Sequence, residues 1–256
     1  MDKKTIIITG ASSGLGQALA EQYASCETRL FLFGRSKARL EKIASICKAR
    51  KAEVVTLNGD VRNKELTRIQ IEDICKKYQI NILIACAGVS AGTLNKPESS
   101  AQADIIFDTN LNGNLNTIMP AIPFMIQNKA GTIVLVSSMA GLLGLSSAPS
   151  YSASKAAVKV FGDAIRAYLK KFKVKVCVVI PGYIDTPMTI VNNFPMPFKI
   201  PVEQAAKIII QGIETNKGLI VFPKITYFLL KLINLLPYQL IDYVNSKLPG
   251  KPSFDE

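Results

Sequence analysis

The 256-residue chain has no histidine and no tryptophan. Without imidazole there is no Ser-His-Asp or Cys-His triad, no His-ligated zinc and no His general base. Acid–base chemistry must come from Tyr, Lys, Asp, Glu, Cys or bound water. The five cysteines (Cys26, Cys47, Cys75, Cys86, Cys177) are odd in number and widely spaced, and form no C-x-x-C. They do not make a metal site and read as buried reduced thiols of a cytoplasmic protein. The opening apolar run, 5–9, is too short for a signal peptide or an anchor. No apolar run approaches the roughly 20 residues a bilayer crossing needs.

What is present is a core-forming composition: 48% hydrophobic residues, 20% charged residues and a net charge of +12. Much of the positive excess lies on one stretch, residues 155–175, with seven Lys/Arg against one Asp. A nucleic-acid surface would be a basic stripe with interleaved aromatics, and this is not one. A solvated helix face or a funnel for an anionic ligand accounts for it, and no nucleic-acid partner is expected.

Apolar β-rich runs recur at 4–9, 29–33, 53–57, 81–85, 132–137, 174–180 and 219–222. Helix-period stretches lie between them at 14–25, 37–50, 63–78, 99–128, 151–172 and 202–216. Runs such as Ile6-Ile7-Ile8 are apolar on both faces, as in a parallel sheet covered by helices. The alternation predicts one α/β domain with a doubly wound parallel sheet of about seven strands. Residues 1–222 would form that domain, and 223–256 a strongly apolar helical extension packed on it. Lys224, Lys231 and Asn234 would share a narrow polar stripe on a helix there. Residues 183–201 hold four prolines and no clean period, so they read as a loop excursion.

The first strand ends in Thr9-Gly10-Ala11-Ser12-Ser13-Gly14-Leu15-Gly16. Glycines between a strand and a helix allow a sharp turn and close approach of a pyrophosphate, and the helix N-terminus adds free N–H groups. In the first βα turn of such a sheet, this is a Rossmann-type dinucleotide site. The second strand ends in Gly34-Arg35-Ser36, where an acidic residue would bind an NAD ribose. Arg35 instead suits a 2′-phosphate, with Ser36 as hydroxyl donor and Arg39 adding charge. NADP(H), with NADPH over NADH, is the expected cofactor. Tyr151 and Lys155 are spaced i,i+4 on one helix face. An ammonium nearby would lower a tyrosine pKa toward the useful range, so Tyr151 is the expected proton donor and acceptor. Ser138, just after the fifth strand, would hold the substrate oxygen.

With these motifs the chain resembles the short-chain dehydrogenase/reductase family, from about residue 3 to residue 219. The resemblance implies that Asp60-Val61 contacts the adenine, and that Asn110 completes an Asn110–Ser138–Tyr151–Lys155 tetrad and holds a water serving proton resupply. It implies that Lys155 binds the nicotinamide ribose. It also implies that Pro181-Gly182 with Ile184 and Thr186 covers the nicotinamide, and that 183–201 is a substrate lid. The family's N-A-G after the fourth strand is here Cys86-Ala87-Gly88; cysteine is a poor substitute donor, so some loss of rigidity is expected. The implied activity is hydride transfer between NADPH and a carbonyl or the matching alcohol. The apolar lid residues, and Leu142-Leu143-Gly144-Leu145, suggest a lipophilic fatty-acyl or steroid-like substrate. The segment 223–256 has three readings: completion of the core and a dimer interface, an amphipathic helix in a membrane surface, or a protein docking site. A homodimer or homotetramer is expected. The alternatives are a non-catalytic NADP(H) sensor on the same fold, and an extended nucleotide-sugar epimerase, disfavoured by length and by the first glycine motif.

Overall fold

The computed structural model describes residues 3–94 and 96–254. The chain begins β1 (Lys4–Thr9), α1 (Gly14–Tyr23), β2 (Thr28–Gly34), α2 (Lys37–Ala49), β3 (Glu53–Asn58), α3 (Lys64–Lys77) and β4 (Ile82–Ala85). It continues α4 (Ser100–Phe107), a π-turn (Asp108–Asn112), α5 (Gly113–Ile118), α6 (Ile122–Asn128), β5 (Thr132–Val136), α7 (Pro149–Leu169) and β6 (Lys175–Pro181). The last part is β7 (Ile184–Asp185), α8 (Pro187–Ile190), β8 (Ile200–Pro201), α9 (Val202–Glu214), β9 (Leu219–Phe222), α10 (Lys224–Ile233) and α11 (Tyr238–Ser246).

Among the described residues, seven strands form one parallel sheet in the order β3-β2-β1-β4-β5-β6-β9. This is the expected single doubly wound domain. The strand order reverses between β1 and β4, which opens a crevice at their C-terminal ends. The all-apolar strands divide by strict alternation. Ile6, Ile8, Leu30, Leu32, Ile82 and Ile84 pack with α1, α2 and α9 on one face. Ile7, Phe31, Leu83, Ile133 and Leu135 pack with α3, α6 and α7 on the other. A period of two inside an unbroken apolar run is what burial on both faces demands. Side-chain caps start α2 and α3: Ser36 Oγ accepts from Arg39 N–H, and Asn63 Oδ1 from Leu66 N–H.

One expectation is corrected. The stretch 99–128 is not one helix. A π-turn interrupts it at 108–112, and it breaks at 119–121, where Pro120 has no N–H for the ladder. In the C-terminal extension α10 ends at Ile233, Pro237 opens α11, and the described residues after Ser246 run back over the domain as an extended tail. The polar stripe also turns inward in part. Asn234 Nδ2 donates to the Leu142 carbonyl at 2.6 Å, and Lys231 Nζ sits 5.2 Å from the Tyr227 ring centre. Tyr227 anchors α10 beside Met139, Val178 and Ile180. The other face of α10 is bare: Phe228 and Leu232 are 61% exposed and Leu235 is 81% exposed.

Candidate active site

The glycine turn after β1 has the geometry its spacing requires. Gly10 has φ +67°, and a Cβ there would meet Ala87 Cα at 2.9 Å. A Cβ on Gly16 would strike the Gly10 carbonyl, so the first turn of α1 sits directly on the loop. Thr9 ties this loop to the end of β4. Its Oγ1 accepts from Cys86 N–H at 3.1 Å and from Ala87 N–H at 3.3 Å. The main chain at Cys86 is therefore held without the expected asparagine. Burial pushes the Cys86 thiol up to about 11, against the opposing pull of Lys155.

Arg35 is exposed at the end of β2, and its carbonyl accepts from Asn58 Nδ2 at 2.9 Å. Ser36 caps α2 as an acceptor, which leaves its hydroxyl hydrogen free to donate. Ser12 Oγ lies against Gly34. Ser13 is the extended residue opening α1, and Leu15 packs on the core. Asp60 is engaged by Arg62, a residue the sequence reading missed, with Oδ2 at 2.7 Å from Nη2. Burial pushes the Asp60 carboxyl up, but the Arg62 hydrogen bonds prevail and hold it below its ordinary value. The Val61 carbonyl accepts from Asn116 Nδ2 at 2.9 Å. Thr186 opens α8 beside Gly14: a Cβ on that glycine would lie 3.4 Å from the threonine side chain. Ile184 is buried in the core, and its carbonyl accepts from Thr189 Oγ1. Pro181 ends β6, and Gly182 N–H donates to the Phe222 carbonyl at 2.7 Å.

Asn110, Gly88 and Lys155 converge at the crevice. A Cβ on Gly88 would stand 3.1 Å from Asn110 Oδ1 and 3.3 Å from Lys155 Nζ. Asn110 is fully buried on the π-turn, a distortion often found at functional sites. Its Nδ2 also donates to Ser154 Oγ at 3.1 Å. Asn114 Nδ2 donates to the Asn110 carbonyl.

Ser138 begins the loop after β5, and Tyr151 and Lys155 share one face of α7. Ser138 Oγ accepts from Ala140 N–H at 3.1 Å, and its side chain is near enough to the Tyr151 hydroxyl to act on that phenol's titration. Lys155 Nζ lies 5.8 Å from the Tyr151 ring centre and donates to the Val136 carbonyl at 3.1 Å. The expected lowering of the Tyr151 pKa is not what this geometry produces. Burial pushes the phenol above its ordinary value, with the Ser138 side chain opposing and Tyr183 adding to the rise. Burial also pushes Lys155 down to about 8, with Cys86 opposing. A dry site disfavours phenolate and ammonium alike.

The loops beside Ser138 and Tyr151 are tied down largely by the C-terminal segment. Asn234 holds the Leu142 carbonyl, and Asn245 takes the Gly144 carbonyl and, through Oδ1, the Ser146 N–H. Gly92 and Leu94 N–H groups donate to the carbonyls of Pro252 and Lys251 at 2.7 and 2.9 Å. Lys251 Nζ donates to Ser90 Oγ at 2.7 Å and lies 5.7 Å from the Tyr151 ring centre. Ser90, Tyr183 and Lys251 escaped the sequence reading because no motif marks them. The excursion 183–201 is closed at its base by β7 pairing with β8 and by Lys199–Asp185 at 3.1 Å. Phe194 packs on Tyr183, while Ile190 and Phe198 are exposed. Leu143 is buried, and Leu142 packs with the cluster around Tyr227.

The glycine cradle and the Gly88–Asn110–Lys155 corner fit a nicotinamide dinucleotide. The short chain dehydrogenase family profile matches residues 4–194. An uncharacterized oxidoreductase of Myxococcus xanthus is 32% identical over 249 residues, 97% of this chain and 98% of that one. The 11-beta-hydroxysteroid dehydrogenase-like 2 of Arabidopsis thaliana is 31% identical, covering 94% of this chain and 80% of its own. The fold matches that of a short chain dehydrogenase/reductase from Burkholderia phymatum in complex with NAD, with a TM-score of 0.84, 23% identity and 98% of each chain covered. The chain belongs to the short-chain dehydrogenase family and is an oxidoreductase.

Proposed function

We propose that the protein reduces a carbonyl of a lipophilic substrate with NADPH, or oxidises the matching alcohol, with Tyr151 as general acid/base. The observation that carries this reading is the placement of Lys155 Nζ 5.8 Å from the Tyr151 ring on one helix face, with Ser138 alongside, beside a dinucleotide cradle. When bound, the nicotinamide supplies or accepts the hydride. Tyr151 gives its hydroxyl proton to the carbonyl oxygen as charge develops there. Its raised pKa keeps it protonated at neutral pH, the form that reduction uses. Ser138 accepts from Ala140, so its own hydrogen is left to donate toward the reacting oxygen. The Lys155 ammonium favours the phenolate left behind. Arg35 is exposed and, among the described residues, forms no salt bridge within 4 Å, although its charge reaches Asp60; a free guanidinium there supports NADPH over NADH.

The lipophilic reading rests on the exposed lid side chains, on bare α10, and on the Arabidopsis relative's name. NADPH consumption with medium- and long-chain ketones, aldehydes, 3-oxoacyl thioesters and steroids tests it. Turnover of none of them, with NADPH still bound, would leave the sensor reading. The bare face of α10, flanked by Lys224 and Lys231, favours peripheral membrane contact over a role in the core. No helix among the described residues is long and apolar enough to cross a membrane. Flotation with anionic liposomes checks the contact, and recovery wholly in the unbound fraction removes it. All five cysteines are free thiols, which supports a reducing, cytoplasmic setting.

A further inference from the structure

Lys251 stands on the C-terminal tail, far in sequence from every motif, yet its ammonium ends at the catalytic tyrosine. Nζ is 5.7 Å from the Tyr151 ring centre, nearly the distance of Lys155 on the same ring. The tail is not draped loosely. Two main-chain hydrogen bonds fasten it to Gly92 and Leu94, and Phe254 N–H donates to Gln102 Oε1 at 3.2 Å. A Cβ on Gly92 would collide with the Lys251 carbonyl, so residue 92 is shaped to the tail's passage.

Among the described residues the ammonium has one hydrogen-bond partner, the neutral hydroxyl of Ser90. Among the described residues no carboxylate lies within ion-pair distance of it. Burial pushes it down to about 8, with no opposing charge. A desolvated cation without a counter-charge is costly to keep and is best satisfied by an anion.

We propose that Lys251, set by Ser90, is the anchor for a carboxylate on the substrate, so that the preferred substrate is an oxo acid with an apolar chain. This deepens the proposed reductase function and rests on it. A carbonyl held by Tyr151 and a carboxylate held by Lys251 fit one molecule when the two groups are about one to three carbons apart. The apolar remainder then lies toward the lid.

The test compares a γ-oxo fatty acid with its methyl ester on the NADPH-loaded full chain. The acid should be favoured in kcat/KM by about tenfold or more, the size of one charge-assisted hydrogen bond. In Lys251→Met that ratio should collapse toward one, while Lys251→Arg should largely keep it. Calorimetric binding of an unreactive medium-chain fatty acid to the NADPH complex gives a second readout, expected to weaken about tenfold in Lys251→Met. NADPH fluorescence confirms that each variant is folded. Equal turnover of acid and ester by the unaltered protein would overturn the anchor and leave the reductase reading standing. So would faster turnover of both by Lys251→Met, which would make Lys251 an obstruction. If neither compound nor any neutral ketone is reduced, the reductase reading fails, and fatty-acid binding alone still decides for or against the anchor.

Discussion

Asn110 grips the main chain of Val89 at both ends. Val89 N–H donates to Asn110 Oδ1 at 2.8 Å, and Asn110 Nδ2 donates to the Val89 carbonyl at 2.9 Å. This clasp fixes the strand-end loop that carries Gly88 and Ser90. The Asn110 side chain is thus committed to that loop. Asn110→Ala should leave buried main-chain groups unpartnered and cost about 1–3 kcal/mol. Chemical denaturation with and without NADPH measures it.

Tyr151→Phe removes one oxygen and keeps the ring between the two lysines. NADPH binding, followed by nucleotide fluorescence, should persist. Turnover should fall about a hundredfold to ten-thousandfold, the usual worth of a positioned general acid. Retained turnover would reassign the proton donor.

Arg35→Asp places a carboxylate where a 2′-phosphate would lie and where a ribose hydroxyl would be welcome. The ratio of kcat/KM for NADPH over NADH should drop by about tenfold or more. An unchanged ratio would remove Arg35 from cofactor choice.

Lys155 has a folded pKa of about 8 against an ordinary 10.5. The unfolded chain then binds more protons between those values, so stability from this group rises with pH across that window. Tyr151 opposes the trend at the alkaline end, since its raised pKa favours the folded state only while the phenol stays protonated. The change in denaturation midpoint from pH 8 to pH 10 should be less favourable in Lys155→Met than in the unaltered protein, the buried thiols of Cys47, Cys75, Cys86 and Cys177 opposing equally in both.

Gly92→Ala drives a methyl group into the Lys251 main chain. The tail should detach, at a cost of about 1–3 kcal/mol. Limited proteolysis should cut it faster, and the substrate KM should rise while NADPH affinity holds.

Much of this was legible along the chain. Ile6-Ile7-Ile8, the turn Thr9 to Gly16, and the pair Tyr151–Lys155 are local patterns, and local periodicity carries them. Pro120 breaks the ladder inside 99–128, and the apolar period on either side of it hides the break. The π-turn at Asn110 has no such signature. The Tyr151 pKa was misjudged because spacing reports which groups are near and not how dry they are. Lys251 meets Ser90 across 161 positions through a folded-back tail, and no periodicity encodes that meeting.

The stretch that matches the family profile ends at residue 194, while Asn234, Asn245 and Lys251 fasten the loops beside Ser138 and Tyr151. Synthesis therefore delivers the glycine turn and the Tyr151 helix first, and the segment that ties the loops around them leaves the ribosome later. Under the proposed function, grafting residues 223–254 between relatives should exchange what is reduced while leaving the redox chemistry in place.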